Sequence, residues 1–169
     1  MTAKVQSLGI MCSRSLAETE SIAGVLARYL VAGDIIVLSG ELGGGKTAFV
    51  RGATQALGSD DLVTSPTFAI VQEYDASIKI VHIDCYRIDR VQELHDIGFS
   101  EMLDDGSIAF IEWGELAAPV LPPAFMTITF TLGVEESDRS IAFEVHGDWS
   151  GRRAEIESAF EQWRNGPAS

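Results

Sequence analysis

Positive charge is scarce in this sequence: 12 Lys and Arg stand against 25 Asp and Glu, a net charge of −13 over 169 residues. With an isoelectric point near 4.5, the surface repels phosphate backbones, which argues against autonomous nucleic-acid binding. Any role in nucleic-acid metabolism then runs through a partner protein. Cysteine is sparse as well. Cys12 and Cys85 lie far apart and form no C-x-x-C pair, so the economical reading is a reduced, cytoplasmic protein. No apolar run approaches the roughly 20 residues that span a bilayer. The start, Met1-Thr2-Ala3-Lys4-Val5-Gln6-Ser7, is polar and lacks the apolar segment of a signal peptide. His82, His95 and His146 show no metal-ligand spacing with one another or with cysteine. There is no repeat, linker or low-complexity tract, and the length suits one domain over residues 1–169.

What is present alternates between strand and helix patterns. Ser15-Leu16-Ala17-Glu18 is a capping box, and Leu16, Ile22, Ala23, Leu26, Tyr29 and Leu30 follow at helical spacing. Gly33 ends that helix. Ile35 to Leu38 is an apolar, β-branched run suited to a strand covered on both faces. A helix over 47–57 buries Phe49, Val50, Ala53 and Leu57, with Gly58 as its stop. Further strands are expected over 67–71, 78–84 and 108–112, with a short helix over 91–103 between the last two. Pro119, Pro122 and Pro123 break the pattern. Met126 to Leu132 and Ile141 to Val145 flank a polar turn and read as a hairpin, and Ala154 to Trp163 as a closing helix. The fold class expected is α/β: a P-loop NTPase-like three-layer fold with a mostly parallel central sheet and a C-terminal β-hairpin.

Gly40-Glu41-Leu42-Gly43-Gly44-Gly45-Lys46-Thr47 fits G-x-x-x-x-G-K-[ST] at every fixed position. The chemistry explains the residue types. Backbone N–H groups must turn inward around phosphate oxygens, which takes unusual dihedrals and close approach, and glycine permits both. Lys46 sets a cation against the β- and γ-phosphates, and the Thr47 hydroxyl is placed for Mg²⁺. The helix that follows aims its positive end at the phosphates. Because the string sits between a buried strand pattern and a helix pattern, an incidental glycine-rich turn is the weaker explanation. The expectation is ATP binding with magnesium.

Magnesium also needs an acid, commonly at the end of a strand beside the loop. Two apolar runs end in carboxylates, Asp84 and Glu112. One holds the metal and the other orients or deprotonates water, and the pattern leaves that assignment open. His82 alternates within its strand and reads as a structural residue. Trp113 reads as packing.

These residues together resemble the TsaE family. The resemblance rests on the phosphate loop with Phe49 and Arg51-Gly52, then Ser65-Pro66-Thr67-Phe68, His82-Ile83-Asp84-Cys85-Tyr86-Arg87 and Ile111-Glu112-Trp113, in order. It runs from about Ser15 to Glu115, with a weaker echo at Arg139. Family members are bacterial ATPases required to make threonylcarbamoyladenosine in tRNA, acting with the TsaB–TsaD pair. The resemblance implies that Glu41, Leu42, Gly43, Gly44, Gly45, Lys46 and Thr47 bind ATP and that Thr47 and Glu112 hold magnesium. It further implies that Asp84 activates water with Lys46 in the catalytic set, that Thr67 belongs to a nucleotide-sensing loop, and that Ser15 and Thr19 contribute to the nucleotide pocket. Contact with tRNA would be indirect, through the complex. The family usually has alanine at Gly44 and often aspartate at Glu41, and the chain after Trp113 is diverged.

Two other classes compete. A small-molecule kinase shares such a loop but carries an arginine-bearing lid, whereas Arg139, Arg152 and Arg153 fall on the hairpin and final helix. A non-catalytic nucleotide-binding module would lack a placed base, a role for which Asp84 is the candidate.

Overall fold

The apolar runs lie side by side at the centre of a seven-stranded sheet. In the computed structural model, which describes residues 4–41, 43–66 and 70–166, the chain order is β1 (Val5–Ser13), α1 (Leu16–Ala27), β2 (Ile35–Gly40), α2 (Lys46–Ala56), β3 (Val71–Tyr74), β4 (Ile80–Asp84), α3 (Val91–Asp96), α4 (Phe99–Leu103), β5 (Ile108–Glu112), a 3₁₀ helix (Gly114–Val120), β6 (Phe125–Leu132), β7 (Arg139–His146) and α5 (Arg153–Asn165). The strands run in the spatial order β1-β7-β6-β2-β5-β4-β3. β6, β2, β5 and β4 are mutually parallel. β1, β7 and β3 attach antiparallel.

The sheet is therefore mixed, which corrects the mostly parallel expectation. The reason lies in the connections. A parallel neighbour needs a crossover of a dozen or more residues, while a short return forces an antiparallel pair. The 75–79 link between β3 and β4 and the 133–138 turn between β6 and β7 are short returns. The 67–71 strand expectation falls largely on residues outside the described set, and the observed edge strand starts at Val71. The single helix expected over 91–103 is two, broken at Gly98 with φ +74°. The expectations for β2, α2, β4, β5, the hairpin and α5 match the observed elements within a few residues.

Side chains leave the sheet on alternate faces, which divides the core. Ile36, Leu38, Ile80, Ile108, Phe110 and Ile128 pack with residues of α1, α2 and α5. Ile35, Val37, Val81, Ile83, Ala109 and Ile111 pack with Leu94, Phe99 and Leu103 of α3 and α4 and with Ala117 of the 3₁₀ helix. The result is three layers. α1 and α2 cross closely at Gly52, where an added Cβ would lie 2.3 Å from the Glu20 carbonyl oxygen. Ser15 caps α1, its hydroxyl accepting from the Glu18 N–H at 3.1 Å. Glu18 accepts in return from the Arg14 N–H, one residue earlier than in the usual capping box. Leu16, expected to begin the inward face, is 60% exposed. Among the described residues, no helix is long and apolar enough to cross a membrane.

Candidate functional site

The site forms where β2, β4 and β5 end together. β2 leads into the glycine loop through Gly40, whose φ is +136°. A Cβ there would lie 2.5 Å from the Phe130 carbonyl oxygen on neighbouring β6, so glycine is required. The loop closes with the Gly44 N–H donating to the Glu41 carbonyl at 3.0 Å. Gly45, at φ +97°, then turns the chain into α2.

Lys46 opens α2 and folds back over the loop. Its Nζ donates to the carbonyls of Gly40 at 2.8 Å and Glu41 at 2.9 Å. It also lies 4.3 Å from the centre of the Trp113 ring, a cation–π distance. Burial pulls the lysine's pKa below its ordinary value, while the charges of Glu112, Glu115 and Asp84 pull the other way. Trp113 holds φ +56°, a rare conformation for a bulky side chain, and its ring pairs with that of Tyr86 at 5.2 Å.

The parallel register of β4 and β5 sets Asp84 opposite Glu112. Both are 3% exposed. The Thr47 hydroxyl donates to Glu112 Oε1 at 3.2 Å. Asp84 accepts from the Ser65 hydroxyl at 3.3 Å and from the Tyr86 N–H at 2.8 Å. A cleft of about 560 Å³ brings Gly43, Gly44, Gly45, Lys46 and Thr47 together with Asp84 and Glu112.

The other expected site residues are placed differently. The Glu41 side chain is exposed, and its carbonyl accepts from Gly44 and Lys46. Ser15 serves as the helix cap. The Thr19 hydroxyl is buried against that of Ser13 at 2.8 Å, and its methyl lies beneath Gly45. Neither Ser15 nor Thr19 is among the residues lining the cleft. Leu42 and Thr67 lie outside the described residues. Sequence reading did not single out Arg51, Ser65 or Tyr86 as site residues, yet all three line the cleft. The motif strings containing them were the available signal. Arg139, noted as an echo only, donates through Nη2 to the Gly43 carbonyl at 2.9 Å.

The donor set can be tested against magnesium. Among the described residues there is no cluster of three His, Cys, Asp or Glu able to hold a metal alone. What the cleft offers is a hydroxyl and a carboxylate in contact at the mouth of the glycine loop. Magnesium commonly takes one or two protein oxygens and completes its shell with water and substrate phosphate. The residues fit that ion.

Comparisons with known proteins place the chain among named relatives. Residues 13–141 match the model of a family described as threonylcarbamoyl adenosine biosynthesis protein TsaE. A Treponema pallidum protein called tRNA threonylcarbamoyladenosine biosynthesis protein TsaE is 38% identical over 117 residues, covering 69% of this chain and 87% of that one. A Bacillus subtilis protein of the same description is 34% identical over 132 residues, covering 78% and 82%. The crystal structure of Bacillus subtilis YdiB matches with a TM-score of 0.77 at 26% identity, covering 96% of this chain and 99% of that one.

Proposed function

This chain belongs to the TsaE family, and from that premise we propose that it is a magnesium-dependent ATPase serving the formation of threonylcarbamoyladenosine in tRNA. The observation that carries the reading is the contact of Thr47 with Glu112 beside the Lys46 loop and Asp84. ATP is the nucleotide proposed, with its phosphates in the glycine loop. Lys46 exchanges carbonyl partners for phosphate oxygens, a stronger charge-assisted interaction. Thr47 and Glu112 hold magnesium, which when bound neutralises phosphate charge. Asp84, anchored by Ser65 and Tyr86, is the group proposed to orient or take a proton from the attacking water.

The partners proposed are TsaB and TsaD, with tRNA reached through them and not directly, in a cytoplasmic setting. A net charge of −13 supports that route, since so acidic a protein gains little from the tRNA backbone. Two cysteines without a disulfide are consistent with a reducing compartment. A kinase is disfavoured because Arg139 is committed to the carbonyls of Gly43, Glu136 and Asp138 and does not sit on a lid.

The test is ATP turnover by the protein alone and then with TsaB, TsaD and tRNA. A weak basal rate raised by the partners, with no phosphorylated small molecule formed, is expected. A fast rate indifferent to the partners contradicts the proposal.

A further inference from the structure

His82 is fully buried, at 0% exposure in the middle of β4. It lies on the face where Ile80, Ile108 and Phe110 join the core. An imidazole in such a place needs a partner for each ring nitrogen. Its Nε2 is 2.8 Å from Glu112 Oε1. A carboxylate only accepts, so Nε2 carries the proton. The remaining nitrogen, Nδ1, lies 3.2 Å from the Tyr74 hydroxyl. Two donors, His82 and Thr47, thus converge on one oxygen of Glu112, which fixes the rotation of that carboxylate.

The chain of contacts continues outward. The single proton of the Tyr74 hydroxyl faces the Gln72 Oε1 at 2.8 Å and the Thr64 carbonyl at 3.3 Å as well as His82. The next residue, Ser65, donates to Asp84. One short segment therefore touches both acids of the cleft: Asp84 directly, and Glu112 through Tyr74 and His82.

We propose that His82 is a positioning residue for the Glu112 carboxylate and that Tyr74 links that carboxylate to the Thr64–Ser65 segment. The proposal rests on the reading that Thr47 and Glu112 hold magnesium. A histidine with only a packing role would weaken nucleotide binding equally with and without metal. A positioning histidine loses the metal-dependent part alone, because partners of metal-binding carboxylates act on metal affinity by about 10- to 100-fold.

The experiment titrates Mg²⁺ into the full chain with N-methylanthraniloyl-ATP and repeats the binding in EDTA. For His82→Met, which removes the donor at similar volume, the Mg²⁺ concentration at half-effect rises about tenfold. Metal-free affinity stays near wild type. His82→Gln, whose amide nitrogen can stand in for Nε2, recovers most of the loss, and Tyr74→Phe shows a smaller shift. A Mg²⁺ titration of His82→Met superimposed on wild type overturns the proposal, as does a loss in His82→Gln as large as in His82→Met. If His82→Met does not fold, Tyr74→Phe decides: a shift at constant metal-free affinity supports the link and no shift overturns it. If wild type ignores Mg²⁺, or Glu112→Ala titrates like wild type, the metal reading itself fails and takes this proposal with it.

Discussion

Asp84 and Glu112 stand opposite each other at the ends of adjacent parallel strands, yet their surroundings differ. Glu112 meets Thr47 and His82, and Asp84 meets Ser65 and the Tyr86 backbone. Different partners predict different losses. Glu112→Ala weakens Mg²⁺-dependent ATP binding, while Asp84→Ala leaves binding largely intact and slows hydrolysis by about 10²–10⁴-fold, the range for a proton-handling group. Binding isotherms and single-turnover rates measured on both variants check this. Identical behaviour of the two contradicts the division of roles.

Arg139 fastens the hairpin to the glycine loop by spanning the carbonyls of Gly43, Glu136 and Asp138. Removing that clamp with Arg139→Ala is expected to lower ATP affinity several-fold. Arg139→Lys fails to restore it, because one ammonium cannot reproduce the planar fork. Calorimetric titration of both variants is the check, and wild-type affinity in Arg139→Ala refutes the clamp.

Gly52 is a packing requirement. Its missing Cβ leaves room for the Glu20 backbone at distances of 2.3 to 2.7 Å, so Gly52→Ala forces α1 and α2 apart. A cost of about 1–3 kcal/mol follows from such overpacking. Each kcal/mol lowers the melting temperature of a chain this size by about 2–4 °C. Thermal unfolding followed by circular dichroism reads it, and an unchanged midpoint contradicts the close crossing.

The two cysteines separate by environment. Cys12 is exposed and Cys85 is buried. Burial, with the nearby charges of Asp84 and Glu115 adding to it, pushes the Cys85 thiol up to about 12. At pH 8 the reactive thiolate of Cys85 is therefore scarce as well as shielded. A thiol reagent should label one site in the native protein, Cys12, and two after denaturation. Rapid native labelling of Cys85, located by mass spectrometry, would overturn this.

How much was legible in the sequence depended on whether a residue's neighbours announced its role. The glycine loop, the two strand-end acids and the hairpin announced themselves, because local spacing carries their chemistry. β1 did not. A register shift between Ser7 and Gly9 changes the phase of the strand, so Leu8, Met11 and Ser13 are buried while Ile10 is exposed. Strict alternation is absent from the string. β3 is a short edge strand with half-exposed Gln72 and exposed Glu73, which offers no apolar signal.

The contacts of His82 were illegible for a different reason. They are made with Tyr74 and Glu112, which only the sheet register brings to it. Thr19 and Ser15 are a further case: their hydroxyls are used in the turn into α1, while the Thr19 methyl lies against Gly45 of the loop.

The most direct test of the account is calorimetric titration of ATP with Mg²⁺ into wild type and Lys46→Ala. Loss of a charged donor to phosphate is worth about 1.5–3 kcal/mol, so affinity should fall about tenfold or more while the melting temperature stays close to wild type. An unchanged isotherm would mean that the Gly40–Thr47 loop does not hold the nucleotide, and the proposed function would fall with it.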